Sequence, residues 1–232
     1  MRTYKNISYD KNLEVIREMQ RLSSPNVTVE SYRNSFEKIG NVLGELLNNR
    51  HIENGAGTML ACASEDADWL AKGVIDSITQ RNISLAVFWN DRITIDTKNK
   101  IEYSPIIRSY IEPVEDCGTL ILVKSIISTS CVVKNQLLHL IGEINPKVIY
   151  IVAPVMYKDA QNSLLKEFPK YISDKFHFIT LAVDTIRNSS GEVLPGVGGM
   201  VYPRLGLGDI KEKNKYTPRL VLERLKTIKF CK

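Results

Sequence analysis

The chain has 232 residues, 44% apolar and 25% charged, which suits one substantial globular domain or one domain with a helical appendage. No run approaches the roughly 20 apolar residues of a membrane span, and Met1-Arg2-Thr3-Tyr4-Lys5 carries no signal-peptide core, so a cytoplasmic protein without membrane contact is expected. The net charge of +5 is uneven: Lys211 to Lys232 holds eight Lys or Arg against two Glu, leaving the rest near −1. From about Asn12 to Asn49 the chain reads as helices. Leu13, Ile16 and Met19 mark one face, Phe36, Ile39, Val42, Leu43 and Leu46 a second, with Thr28 or Ser31 as cap. A first strand is predicted over Gly57–Ala63, followed by Ser64-Glu65-Asp66-Ala67-Asp68 and a helix from Trp69 to Gln80. A second strand covers Ile83–Trp89.

Asn90 to Cys117 reads as an extended arm around the turn-prone Thr97-Lys98-Asn99-Lys100. Thr119-Leu120-Ile121-Leu122-Val123 is a continuous apolar run of the kind buried in a parallel sheet. Lys124-Ser125-Ile126-Ile127-Ser128-Thr129-Ser130 then leads into a helix over Cys131–Leu140. Hydroxyl-rich loops at such a junction are natural anion sites, because free N–H groups and the helix dipole point at them. Further strands are predicted over Lys147–Ala153 and Phe176–Val183, a helix over Asp159–Phe168, and a tail helix over Thr217–Ile228. The alternation indicates an α/β fold: a parallel central sheet flanked by helices, with an extended β-arm and a helical N-terminal segment. Its divisions are 1–50, 51–207 with the arm at 90–117, and a basic tail at 208–232. Cys62, Cys117, Cys131 and Cys231 are far apart and read as buried hydrophobes or free thiols. His51, His139 and His177 have no ligand spacing, so no metal centre is expected.

The order of these elements resembles the uracil phosphoribosyltransferases, over about Leu13 to Leu207. Asp184-Thr185-Ile186-Arg187-Asn188 and Glu192-Val193-Leu194-Pro195-Gly196-Val197-Gly198 match the family's hood, which holds uracil through its backbone. Ile151-Val152-Ala153-Pro154 and Arg204-Leu205-Gly206 also match. The resemblance implies a base-binding hood at Asp184, Leu194, Pro195, Gly196, Val197, Gly198 and Gly199. It implies a phosphate loop at Lys124, Ser125, Ser128, Thr129 and Ser130, and a pyrophosphate loop at Glu65, Asp66 and Ala67. It also implies a homodimer built through the arm, and Mg²⁺ if donor binding is retained.

The departures fall on the donor side. Lys124 replaces an acid, Ser130 and Cys131 replace paired glycines, and Glu65-Asp66-Ala67 stands where the family has Arg-Ala-Gly. Phe88-Trp89-Asn90 stands where it offers Tyr-Arg, and Gly199 where it has an acid. Phosphoribosyl transfer works by positioning an activated sugar and stabilising charge on departing pyrophosphate, and these groups are its stabilisers. The expected function is therefore a uracil phosphoribosyltransferase-like protein without ordinary transfer, binding a nucleotide or base as a sensor, effector or complex subunit. One alternative is an active phosphoribosyl or glycosyl transferase with an altered donor site. Another is a nucleic-acid-associated partner in a defence or toxin module, using 211–232.

Several residues have two readings. Lys124 either neutralises a phosphate or pairs with Glu65 or Asp66 and locks the pocket. Ser128, Thr129 and Ser130 either donate to a phosphate or cap the next helix. Glu65, Asp66 and Asp68 either hold a cation or serve a helix dipole. The tail either touches nucleic acid or forms a solvated amphipathic helix.

Overall fold

The structure, a computed structural model, describes residues 1–7, 12–50, 56–80, 82–96 and 101–230. The arm's turn at 97–100, His51 and Cys231 lie outside the described residues. A short strand β1 (Arg2–Tyr4) precedes helices α1 (Asn12–Ser23) and α2 (Val29–Asn48). The latter buries Tyr32, Phe36, Ile39, Leu43 and Leu47 at helical spacing, and Thr28 caps it by accepting the Ser31 N–H at 3.2 Å. Between the two helices lies Glu18, 2% exposed, which accepts from Ser35 Oγ at 2.7 Å, Arg21 at 2.9 Å and Lys38 at 3.2 Å.

Burial pushes the Glu18 carboxyl up, but Ser35, Lys38 and Arg21 outweigh it and hold the group below its ordinary 4.5. A depressed folded value contributes stability above the unfolded value that is lost as pH falls through the folded one. Urea denaturation between about pH 6 and pH 3 should therefore show a steeper acid loss for the wild type than for Glu18→Gln.

The chain continues through β2 (Gly57–Ala63), α3 (Lys72–Ser77) and β3 (Ile83–Asn90). The hairpin β4 (Ile93–Asp96) and β5 (Ile101–Tyr103) follows, then β6 (Ile106–Ile111), β7 (Cys117–Val123) and the two-residue β8 (Ile126–Ile127). Next come α4 (Cys131–Ile144), β9 (Val148–Tyr157), α5 (Ala160–Lys166), α6 (Lys170–Ser173) and β10 (Phe176–Asp184). A small hairpin of β11 (Ile186–Arg187) and β12 (Val193–Leu194) leads to α7 (Val201–Arg204), α8 (Ile210–Lys215) and α9 (Arg219–Phe230).

The main sheet runs β1-β10-β9-β7-β2-β3-β6. Its five inner strands are parallel, and β1 and β6 are antiparallel edges. Each inner strand is covered on both faces. Leu60, Cys62, Ile121 and Val123 meet Met19, Phe36 and Leu43 of α1 and α2. Met59, Ala61, Leu120 and Leu122 meet Val133, Leu137 and Leu140 of α4 on the other side. This two-sided burial is why the strands read as continuous apolar runs. The fold is α/β, a mostly parallel central sheet flanked by helices. Among the described residues, no helix is long and apolar enough to cross a membrane.

Three local expectations change. The helix expected over Trp69–Gln80 follows a 3₁₀ turn (Ser64–Asp66), starts as a wide π turn (Ala67–Ala71) and continues only as a short α3 to Ser77. Here the chain presses against α2: a Cβ on Gly40 would lie 2.3 Å from the Leu70 carbonyl, so glycine alone permits the crossing. The strand expected over Lys147–Ala153 runs on to Tyr157, because Val155 and Met156 pair with Ile126 and Ile127 of β8. The helical N-terminal segment also begins with a strand, β1, too short to show a period.

Taken in chain order, the parallel strands lie as 2-1-3-4-5, and the order reverses between β2 and β7. Ligands of open α/β sheets bind outside the carboxyl ends of the strands at such a reversal. Glu65 and Asp66 follow β2 there, and Lys124 and Ser125 follow β7.

Candidate functional site: a closed crevice and a buttressed hood

Lys124 is 8% exposed, and its ammonium fills the crevice at the reversal. Its Nζ donates to Asp66 Oδ2 at 2.6 Å, Ser125 Oγ at 3.1 Å and Glu65 Oε1 at 3.2 Å. The Lys124 N–H donates to the Val152 carbonyl at 2.9 Å, which fixes the side chain's root. A second lysine arrives from α8. Lys213 Nζ donates to the carbonyl of Asn90, the last residue of β3, at 2.6 Å and lies 3.7 Å from Glu65 Oε2.

Burial lowers the Lys124 ammonium's affinity for its proton, but Asp66 and Glu65 more than reverse this and hold it well above its ordinary value. Burial also pushes the two carboxyls up. At Glu65, Lys124 and Lys213 win and leave it lowered; at Asp66, burial and repulsion from Glu65 outweigh Lys124 and leave it raised. Lys213 is lowered, by burial first and by the nearby Lys124, against the pull of Glu65. The ledge is a tight cluster of charges that largely neutralise one another. Ala67, fully buried, opens the wide turn behind it.

Asp68 goes elsewhere. It accepts the N–H groups of Arg219 and Leu220 at 2.9 Å each, and the Tyr216 hydroxyl donates to it. It therefore caps α9, a helix about 150 residues along the chain. Among the described residues, no group of three or more His, Cys, Asp or Glu converges as a metal site.

The five residues assigned to the phosphate loop divide into two groups. Lys124 and Ser125 turn inward to the ledge. Ser128, Thr129 and Ser130 lie beyond β8, which zips the loop onto β9. The Arg187 guanidinium donates to the Ser128 carbonyl and stacks 3.8 Å from the Tyr157 ring centre. Ser130 Oγ reaches Glu167 Oε1 at 3.4 Å and makes no side-chain cap for α4, while Thr129 is exposed. One loop is divided into a buried part and an outer part.

The hood residues do come together. Asp184, fully buried, accepts from Arg2 Nε at 2.8 Å, Arg2 Nη2 at 2.7 Å and the Gly196 N–H at 2.9 Å. Arg2 also donates to the Gly196 carbonyl. The Val197 carbonyl accepts from the Tyr32 hydroxyl at 2.8 Å, and the Gly198 carbonyl from Arg204 at 2.9 Å. Arg204 further ties down the carbonyls of Ser24 at 2.6 Å and Leu22 at 3.2 Å. Gly198 has φ +81°, and a Cβ there would lie 2.5 Å from the Leu22 carbonyl, so this turn needs glycine. Leu194, Pro195, Gly198 and Gly199, with Ile186 and Ser23, border a cleft of about 580 Å³. The Leu194–Pro195 peptide is cis.

Sequence reasoning missed Arg2, Tyr32 and Lys213. A lone Arg, Tyr or Lys carries no spacing signal, and each acts on a residue more than 120 positions away.

The chain shares the fold of the AQ2163 protein from Aquifex aeolicus. The two align with a TM-score of 0.68 at 14% identity, covering 88% of this chain and 97% of the other. Adenine phosphoribosyl transferase from Trypanosoma brucei, in complex with AMP, pyrophosphate and ribose-5-phosphate, aligns with a TM-score of 0.48 at 12% identity, over 77% of this chain and 82% of that one. Orotate phosphoribosyltransferase from Mycobacterium tuberculosis, in complex with 5-phospho-alpha-D-ribosyl 1-diphosphate, aligns at 0.43 and 15% identity, over 75% and 90%. No family model and no curated protein sequence matches the chain.

Proposed function

We propose that the chain is a phosphoribosyltransferase-like protein that binds a nucleobase or nucleotide at the hood and does not carry out ordinary phosphoribosyl transfer. The observation behind this reading is the Lys124 ammonium bridging Glu65 and Asp66 in the crevice where a pyrophosphate-bearing donor would lie. A pyrophosphate there meets two carboxylates whose compensating cation is already engaged, and no glycine-lined turn cradles it. The hood keeps its backbone shape through Asp184, Arg2, Tyr32 and Arg204, and it borders a cleft large enough for a base. Uracil is the base that its sequence pattern favours. Mg²⁺ would enter only with a pyrophosphate-bearing ligand, through Glu65 or Asp66 freed from Lys124.

The homodimer belongs to the same proposal. Ile93 and Tyr103 of the β4–β5 hairpin and Ile107 of the edge strand β6 are 47%, 47% and 52% exposed, apolar surface consistent with a second copy. The nucleic-acid reading of 211–232 is less favoured, because Lys213 turns into the crevice and Arg224 lies 3.6 Å from Glu112. Isothermal titration with uracil, UMP and phosphoribosyl pyrophosphate, with and without Mg²⁺, tests the assignment. Saturable binding of base or nucleotide without turnover is the expected result. Formation of a nucleoside monophosphate from the donor would overturn it.

A further inference from the structure

The C-terminal segment reaches the same crevice as Lys124. Asp209 caps α8 by accepting the N–H groups of Lys211 at 2.8 Å and Glu212 at 2.9 Å, and α8 then delivers Lys213, 2% exposed, between Asn90 and Glu65. The Tyr216 carbonyl accepts from the Trp89 indole at 2.7 Å and from Arg108 at 3.1 Å, and Asp68 caps α9. These anchors cluster at one junction, where Pro218 is buried and Tyr216 packs against the core. Of the described side chains of α9, only Leu220 and Val221 are buried, and Leu222 and Leu225 are 45% and 39% exposed.

Segments held by a few polar anchors with little apolar burial belong to the low-stability end of a fold and open without global unfolding. Beneath this one, Ser64 Oγ, Glu65 Oε2 and Asp66 Oδ1 are buried without a hydrogen-bond partner. The closed state thus leaves polar atoms that an occupant of the opened crevice would satisfy. With Lys213 withdrawn, Glu65 and Asp66 face Lys124 alone, and the ledge carries a net negative charge that favours a cation.

We propose that residues 209–230 form an autoinhibitory strap, in which Lys213 acts as a tethered ligand for an alkylammonium site built from Glu65 and the Asn90 carbonyl. Lifting the strap opens this site to a free ligand carrying a primary ammonium group. The site is separate from the hood, so the inference does not depend on base binding there.

Native-state hydrogen exchange on the full wild-type chain tests the strap. Amides of 211–227 should exchange at least about tenfold faster than those of β2 and β7, through an opening insensitive to low denaturant. Exchange of both sets together, only through global unfolding, would overturn the strap. Lys213→Ala tests the ligand class. Its unfolding midpoint should rise with n-propylammonium, which supplies the three carbons and the ammonium that the substitution removes, and not with tetramethylammonium, while the wild type responds to neither. An equal response of both proteins, or none in the variant, would overturn the alkylammonium site. The exchange measurement stands whether or not Lys213→Ala folds, and neither readout involves a base, so failure of hood binding is separately visible.

Discussion

Replacing Lys124 by methionine should destabilise the protein by about 3–5 kcal/mol, the range for breaking a buried ion pair from one side. The side chain is 10% exposed, and its partners Asp66 and Glu65 are 1% and 11% exposed. Methionine fills much of the same volume, so the loss is electrostatic: two buried carboxylates keep only Lys213, 3.7 Å from one of them. Combining Lys124→Met with Glu65→Gln and Asp66→Asn should recover part of that loss, since both unpaired carboxylates go with it while Lys213 remains as the cluster's one buried charge. Urea denaturation of the single and triple variants checks both statements. A loss below about 1 kcal/mol for Lys124→Met would mean that the cluster behaves like a solvated surface pair, and the closed crevice would then lack its foundation.

The same residues show how far the sequence could be read. The first predicted strand, Gly57–Ala63, coincides with β2 because a strand buried on both faces leaves an apolar run with sharp ends. The polar residues after such strands, Glu65, Asp66 and Lys124, stand out by position, and the resemblance is what made them candidate site residues. Which of two uses they serve was not legible, because Lys124 meets Asp66 across 58 residues and only the strand order β7-β2 makes them neighbours. The phosphate loop was misleading for a related reason. Ile126 and Ile127 look like loop residues between two polar stretches, yet they pair with β9 and separate Ser125 from Ser128. The turn at Pro195–Gly199 was legible through glycine and proline, which encode backbone shape locally, while its reading as a hood came from the resemblance. Its buttresses were not, since Arg2 sits in a three-residue strand and Tyr32 reads as one more apolar position of α2.

Asp184→Ala is the sharpest test of how that hood is held. The carboxylate is fully buried and receives three donations, two from the Arg2 guanidinium and one from the Gly196 amide. Alanine leaves the Arg2 side chain, 9% exposed, without its counter-charge and strands the Gly196 N–H, a change expected to cost about 3–5 kcal/mol. The effect should be concentrated in the hood. Arg2 also holds the Gly196 carbonyl, so both polar groups of that residue depend on one ion pair linking β1 to the end of β10. Amide exchange at Gly196–Gly199 should accelerate far more than in β7, and affinity for base or nucleotide should fall at least about tenfold. Asp184→Asn, which keeps the shape and one acceptor, should lie between the two. Unchanged binding in a folded Asp184→Ala protein would detach ligand recognition from the hood. If affinity instead falls together with protection at Gly196–Gly199, the backbone shape fixed by Arg2 and Asp184 is what the ligand reads.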